Sequence, residues 1–329
     1  MPANLPPQYG KAEDEFRKAA TPDERLNKLR EMFRLLPKHK GTEKLQSDLK
    51  QKISRAKDDV EGVKSGKKAG VSHRIPREGA GQVALVGGPN GGKSALLAAL
   101  TNAKPEVAAY PFTTRAPYPG IMTWEDVRLQ LVDLPPLTPD FFEYWVADVI
   151  RAADAALLVV DLDSDDVIDA AEAALARLSR AHTELLGDPS YDVDDERLQQ
   201  IKTALVANKI DVEGAADRLE IVREWCGVRF PIVCVSALGG EGLDDLRRTT
   251  YDLLGVMRIY TRVPGKAADR HRPFTIPLGS TVIDLAKEVH RDFEHSLKFA
   301  KVWGTGVFEG QTVKRDHELH DADVVELHS

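Results

Sequence analysis

Gln82-Val83-Ala84-Leu85-Val86-Gly87-Gly88-Pro89-Asn90-Gly91-Gly92-Lys93-Ser94-Ala95-Leu96-Leu97 is the stretch that decides the fold. Five residues of apolar strand run straight into glycines, and an apolar helix start follows without a gap. Between them, Gly87 to Ser94 fits the pattern G-x-x-x-x-G-K-S. Glycine lets a backbone wrap closely around phosphate, and the N–H groups that converge there lie at a helix N-terminus, where the dipole favours an anion. Gly87, Pro89, Asn90, Gly91 and Gly92 therefore form a candidate phosphate cradle. Lys93 is expected to reach the β- and γ-phosphates of a nucleotide, and Ser94 to offer a hydroxyl to Mg²⁺. A flexible glycine turn, the bland alternative, would need neither the strand nor the helix.

Outward from this loop, strands are expected at 127–132, 155–161, 203–207 and 231–235. Helices are expected at 96–100, 139–152, 170–186, 215–225 and 244–254. Strands alternating with helices indicate an α/β domain with a mostly parallel sheet. Asn208-Lys209-Ile210-Asp211 follows one of those strands. A carboxylate at Asp211 can accept hydrogen bonds from N1–H and the N2 amine of guanine, a pair that adenine does not offer. Asn208 is expected to tie its loop to the phosphate loop, and the stem of Lys209 to cover the flat base. Ser236-Ala237-Leu238 closes the next strand, with the Ala237 N–H facing guanine O6. Between these motifs, Thr113 and Thr114 lie in the Pro-rich loop Tyr110-Pro111-Phe112-Thr113-Thr114-Arg115. Thr114 is the preferred hydroxyl for completing the Mg²⁺ shell, with Thr113 the near alternative. Asp133, at a strand end, suits a Mg²⁺ carboxylate acting through water.

The flanks differ in character. Residues 1–80 carry a net charge of +7, residues 81–255 carry −14, and the chain as a whole carries −7. In the basic head, Leu26, Leu29, Phe33 and Leu36 recur at helical spacing, as do Leu45, Leu49, Ile53, Ala56 and Val60, with Pro37 to Gly41 between the two runs. This spacing predicts an α-helical hairpin, and the Gly- and Lys-rich stretch 62–81 reads as a mobile basic connector. Lys38, His39, Lys40, Lys44, Lys64, Lys67, Lys68, Arg74 and Arg77 are the candidates for phosphate contacts to RNA. After residue 256 the pattern changes to two strands, a helix that follows Gly279-Ser280-Thr281 and reaches about Phe293, and three more short strands, which suggests a small α+β domain of β-grasp type. Three domains follow: 1–80, 81–256 and 257–329. No apolar run approaches the length of a bilayer span, and no basic-then-apolar leader opens the sequence. Two cysteines, Cys226 and Cys234, make no disulfide framework. The cytoplasm is the expected compartment. The tail histidines lack a recognisable ligand set for a metal, and Trp303 reads as core rather than as a platform for RNA bases.

On these residues the sequence resembles the Obg-like superfamily of P-loop GTPases, specifically the developmentally regulated GTP-binding family. The phosphate loop, Tyr110 to Arg115, Asp133-Leu134-Pro135, Asn208 to Asp211 and Ser236-Ala237 match that family's five nucleotide motifs in order. Arg258-Ile259-Tyr260-Thr261, Lys301-Val302-Trp303-Gly304, Asp316-His317-Glu318-Leu319 and Asp323-Val324-Val325 resemble its TGS domain. The resemblance implies hydrolysis of GTP to GDP and phosphate, contacts with ribosomes or RNA through the basic head and the TGS domain, and a protein regulator. It also makes Asn90 correspond to an asparagine that supports a catalytic K⁺ in some relatives. Lys93, Thr114 and Asn90 are thereby the catalytic candidates.

Three departures stand out. The family's D-x-x-G reads Asp133-Leu134-Pro135-Pro136 here, so the glycine N–H that meets the γ-phosphate is replaced by a residue with no N–H and a fixed φ. Leu137 stands where Ras-type GTPases have a water-orienting glutamine. The glycine-rich basic stretch after this motif is replaced by Leu137 to Trp145, and the family's extra domain before Asn208 is missing. A guanine-nucleotide-binding interaction module, with little hydrolysis or switching because of Pro136 and Leu137, is the competing expectation.

Overall fold

The computed structural model describes residues 9, 22–36, 49, 52–53, 75–103, 116–138, 143–189, 198–290 and 296–328. The chain divides into two compact units, Met1–Ser72 and His73–Ser329. In the first, α1 (Pro22–Leu35) buries Leu29 and Met32, and these share a small core with Leu36, Tyr9 and Leu49 while Phe33 and Ile53 pack at its margin. Met32 is an addition to the expected stripe. Most of the expected second helix, with Lys38, His39, Lys40 and Lys44 before it, lies outside the described residues. Leu49, Lys52 and Ile53 are helical.

The second unit opens with β1 (Gln82–Val86), α2 (Lys93–Leu100), β2 (Tyr118–Trp124) and β3 (Val127–Asp133). There follow α3 (Tyr144–Ala152), β4 (Ala155–Asp161), α4 (Val167–Ser179), β5 (Thr183–Leu186), β6 (Gln199–Asn208), α5 (Ala215–Cys226), β7 (Ile232–Val235) and α6 (Leu243–Leu254). Its sheet runs β2-β3-β1-β4-β6-β5, with β7 also on β6. All pairs are parallel except β2 with β3. Every residue of β1 is buried because the strand has helices on both sides. Val83 and Leu85 face Leu96 and Leu97 of α2 and Leu246 and Leu253 of α6, whereas Ala84 and Val86 face Ile150 of α3 and Leu178 of α4.

One strand is added and two expectations are corrected. The run 118–124 was not among the expected strands, and its Pro119 and Gly120 weaken a strand pattern. As an edge strand it tolerates them, and a two-residue turn with Glu125 at φ 50° joins it to β3. The helix expected at 170–186 ends at Ser179. His182 takes φ 54°, and Thr183 and Leu185 then alternate inward as β5. The last part of the expected mobile connector is packed: Ala80 N–H donates to the Arg128 carbonyl at 2.8 Å, and Arg77 pairs with Asp154 at 2.9 Å.

The C-terminal domain comprises β8 (Val256–Thr261), β9 (Asp269–Pro277), α7 (Val282–Val289), β10 (Phe299–Trp303), β11 (Gln311–Val313) and β12 (Asp323–His328). Its mixed sheet has the order β11-β10-β12-β8-β9, with β8 and β12 parallel at its centre. Thr281 and Asp284 form a capping box on α7, whose Val282, Leu285 and Ala286 fill the core. This is the β-grasp arrangement expected from the pattern. Arg258 and Tyr260 of β8 meet the β2–β3 turn. Tyr260 Oη donates to Asp126 Oδ2 at 2.6 Å, and Arg258 reaches Glu125, Asp126 (3.3 Å) and Asp321 (2.6 Å).

Candidate functional site

The loop after β1 lies at the carboxyl ends of the parallel strands, where open α/β sheets bind their ligands. Its shape comes from three unusual backbone positions, Gly87 at φ 150°, Asn90 at 58° and Gly92 at 88°. Only glycine fits at 92, since a Cβ there would lie 2.2 Å from Asn208 Nδ2. Asn90 is exposed on the rim and Pro89 is half-buried. Lys93 is buried, and its ammonium donates to the carbonyls of Gly88 (2.7 Å) and Gly87 (3.2 Å). Burial pushes its pKa down to about 8, against the opposing pull of the Asp133 carboxylate. Ser94 Oγ donates to Asp133 Oδ2 at 2.5 Å, so the hydroxyl and the carboxylate expected near Mg²⁺ are side by side.

Asn208 is the hub of the site. Its Nδ2 donates to the Gly91 carbonyl at 2.9 Å, and its Oδ1 accepts the Ala237 N–H at 3.0 Å. The expected tie to the phosphate loop is present, together with a second tie to the Ser236 loop. The Ala237 N–H, expected at guanine O6, is thus bonded to Asn208 here. Ser236 is buried and its Oγ accepts the Gly239 N–H at 2.8 Å, while Leu238 stands exposed beside it. Asp211 is exposed and unpaired among the described residues.

Lys209 has φ 68°, and its ammonium is pinned by Asp161 Oδ2 at 2.7 Å and Asp163 Oδ2 at 3.7 Å. Arg218 of α5 braces the same region, donating to the Leu162 carbonyl (2.5 Å) and the Glu213 carbonyl (2.8 Å). Sequence reasoning missed these three supports. The signal for Asp161 and Asp163 was an acidic run at a strand end facing the Asn208 motif; Arg218 gave none.

Thr113 and Thr114 lie outside the described residues, as do Lys64, Lys67, Lys68 and Arg74. Leu137 is buried at 2% exposure among Leu134, Val146 and Ile150, so its side chain points into the core rather than toward the loop. Its N–H donates to the Gly87 carbonyl at 3.1 Å. Trp303 is half-buried under the Arg262 guanidinium, 4.3 Å from the ring centroid. Among the described residues no three acidic, histidine or cysteine side chains cluster as a metal site, and no helix is long and apolar enough to cross a membrane.

The family described as 50S ribosome-binding GTPase matches residues 82–209, and the TGS domain family matches residues 257–329. The chain carries a GTP-binding domain and a TGS domain. It is related at low identity to the Obg and developmentally regulated GTP-binding proteins. An uncharacterized GTP-binding protein of Halobacterium salinarum is 28% identical over 93% of this chain and 98% of its own. Developmentally-regulated G-protein 1 of Arabidopsis thaliana is 28% identical over 92% and 90%. Among solved structures, a GTP-binding protein of Pyrococcus horikoshii aligns with a TM-score of 0.49 and 18% identity, over 75% of this chain and 99% of that one.

Proposed function

We propose that this chain is a compact, divergent member of the developmentally regulated GTP-binding family that binds GTP and GDP, hydrolyses GTP, and acts in the cytoplasm with ribosomes or RNA. The observation that carries the reading is the Asn208 hub, which joins the phosphate loop to the Ser236 loop, with the Asp211 carboxylate exposed beyond them. In this reading Gly87 to Gly92 cradle the phosphates, Asp211 reads the guanine edge, and Lys209, its ammonium held by Asp161, lays its stem along the base. Ser94 and Asp133 are a hard oxygen-donor set suited to Mg²⁺, with a hydroxyl from Thr114 or Thr113. The ion would neutralise phosphate charge as the bond breaks. Asn90, exposed on the rim, is the residue that would support K⁺.

Hydrolysis adds water to the γ-phosphorus and breaks its bond to the β–γ bridging oxygen, giving GDP and phosphate. Lys93 stabilises the charge that gathers on the bridge and γ-oxygens. Leu137 cannot orient the water, because its side chain is apolar and buried. The basic head and the TGS domain would supply contacts to RNA, to the ribosome or to a protein regulator.

Phosphate release measured in K⁺ and in Na⁺ buffer, with and without ribosomes, tests the proposal. Turnover above that of a Lys93→Ala control is expected, and it should be greater in K⁺. Turnover equal to the control under all four conditions would refute hydrolysis. It would favour the second reading, an interaction module that holds nucleotide without turning it over, which the buried Leu137 and the absent N–H at Pro136 support.

A further inference from the structure

Leu134, Pro135, Pro136 and Leu137 leave the end of β3 as a non-helical strap, and all four are buried. Leu134 and Leu137 are 1% and 2% exposed and join the core cluster that holds Val146, Val149 and Ile150 of α3. Neither proline has an N–H. The first N–H after Leu134 is that of Leu137, and it is spent on the Gly87 carbonyl at 3.1 Å. That carbonyl also accepts from the Lys93 ammonium. The strap is therefore fastened to the phosphate loop by a bond internal to the protein, and it presents no donor from positions 135 and 136. Two fixed φ angles and two buried leucines oppose any rearrangement that would supply one.

We infer that this strap is a fixed wall that removes γ-phosphate sensing from the segment after β3, making Pro136 the residue that sets the preference between GTP and GDP. The inference rests on the nucleotide-binding reading. A charge-assisted hydrogen bond is ordinarily good for roughly tenfold to a hundredfold in affinity. Without it, GTP keeps only its contacts to the phosphate loop and to any metal, and its affinity falls toward that of GDP.

The test uses the full chain, with fluorescent GDP and a fluorescent non-hydrolysable GTP analogue titrated in Mg²⁺ buffer. The two dissociation constants should agree within about tenfold, and Pro136→Gly should tighten the analogue relative to GDP by about tenfold or more. Hydrogen exchange at the Leu137 amide of the unaltered chain gives a readout that needs no variant. Its protection should be the same with either nucleotide, because its bond to Gly87 does not open. A preference for the GTP analogue beyond about a hundredfold in the unaltered chain, an unchanged ratio in Pro136→Gly, or loss of Leu137 protection only with the analogue would each overturn the inference. Those outcomes leave nucleotide binding intact. Failure to bind either nucleotide would instead remove the nucleotide-binding reading, and this inference with it.

Discussion

Replacing Arg258 by Met should loosen the TGS domain from the GTP-binding domain at a single, identifiable contact. The Arg258 side chain is 18% exposed and makes bonds to three carboxylates. Within its own domain it binds Asp321 twice, at 2.6 and 3.1 Å, and the Arg258 N–H adds a third bond at 2.7 Å. Across the junction it reaches Glu125 and, at 3.3 Å, Asp126. A hydrogen bond to a charged group contributes about 1.5–3 kcal/mol, while an exposed ion pair contributes under about 1 kcal/mol. Glu125 and Asp321 are 55% and 41% exposed, so water recovers much of what they lose; Asp126, at 26%, recovers less. The expected cost of Arg258→Met is therefore about 2–3 kcal/mol, well below the sum of the bonds. A double-mutant cycle with Asp126→Asn isolates the junction, because asparagine can still accept from Tyr260. The coupling should be about 1 kcal/mol and should shrink with added salt. Urea unfolding followed by tryptophan fluorescence and by circular dichroism provides the free energies where the two transitions coincide. A coupling below about 0.3 kcal/mol, or one indifferent to salt, would refute the idea that Arg258 bridges the domains.

Asp211→Asn replaces two acceptors with one acceptor and one donor, so guanine loses a bond while xanthine, with a carbonyl at position 2, gains one. GDP affinity should fall about a hundredfold and xanthosine diphosphate should bind more tightly than before, and equal GDP affinity in a fluorescence titration would count against guanine reading. Lys93 titrates near 8 because it is buried, and phosphate oxygens would restore its preference for the charged form. Above that pH the bound state holds more protons than the free one, so nucleotide affinity should decline as pH rises through about 8. Calorimetry in two buffers should show uptake of most of a proton at about pH 8.5 and little at about pH 6, and no uptake at the higher pH would mean that Lys93 is charged before the ligand arrives.

Where function demands a local pattern, the sequence was readable. The strand, glycine loop and helix from Gln82 to Leu100 are contiguous, and each strand carrying a motif is buried enough to be an apolar run. The elements that escaped depend on partners far along the chain. A strand from Tyr118 to Trp124 holds because β3 lies beside it, and no period in Tyr-Pro-Gly-Ile-Met-Thr-Trp announces it. Likewise β5 takes its state from the first half of β6, and without that neighbour its leucines extend the helical pattern of α4. In the site, the role of Asn208 toward the phosphate loop could be assigned from chemistry, but its simultaneous hold on Ala237 could not, since that depends on the distance between two loops. The clamp of Asp161 on Lys209 and the bond from Leu137 to Gly87 are tertiary contacts of the same kind. Pro136 was legible as a defect, whereas the neighbouring N–H that closes the strap was not.

The two ends of β3 connect these findings. At one end the β2–β3 turn carries Asp126, held by Arg258 and Tyr260 of the TGS domain. At the other, roughly 20 Å along the strand, Asp133 accepts from Ser94, and the strap begins with Leu134. Between them β3 is paired along its full length with β2 and over four residues with β1. Sliding it would break ladder bonds on both sides, as well as either the Leu137 bond or the Arg258 contacts. A strand anchored in this way transmits position rather than motion. If the strap stays closed with either nucleotide, the TGS domain keeps one placement against the β2–β3 turn in both states. Regulation by nucleotide would then have to act through the stretch of sequence between α2 and β2 that includes Thr113 and Thr114, and not through the segment after Asp133.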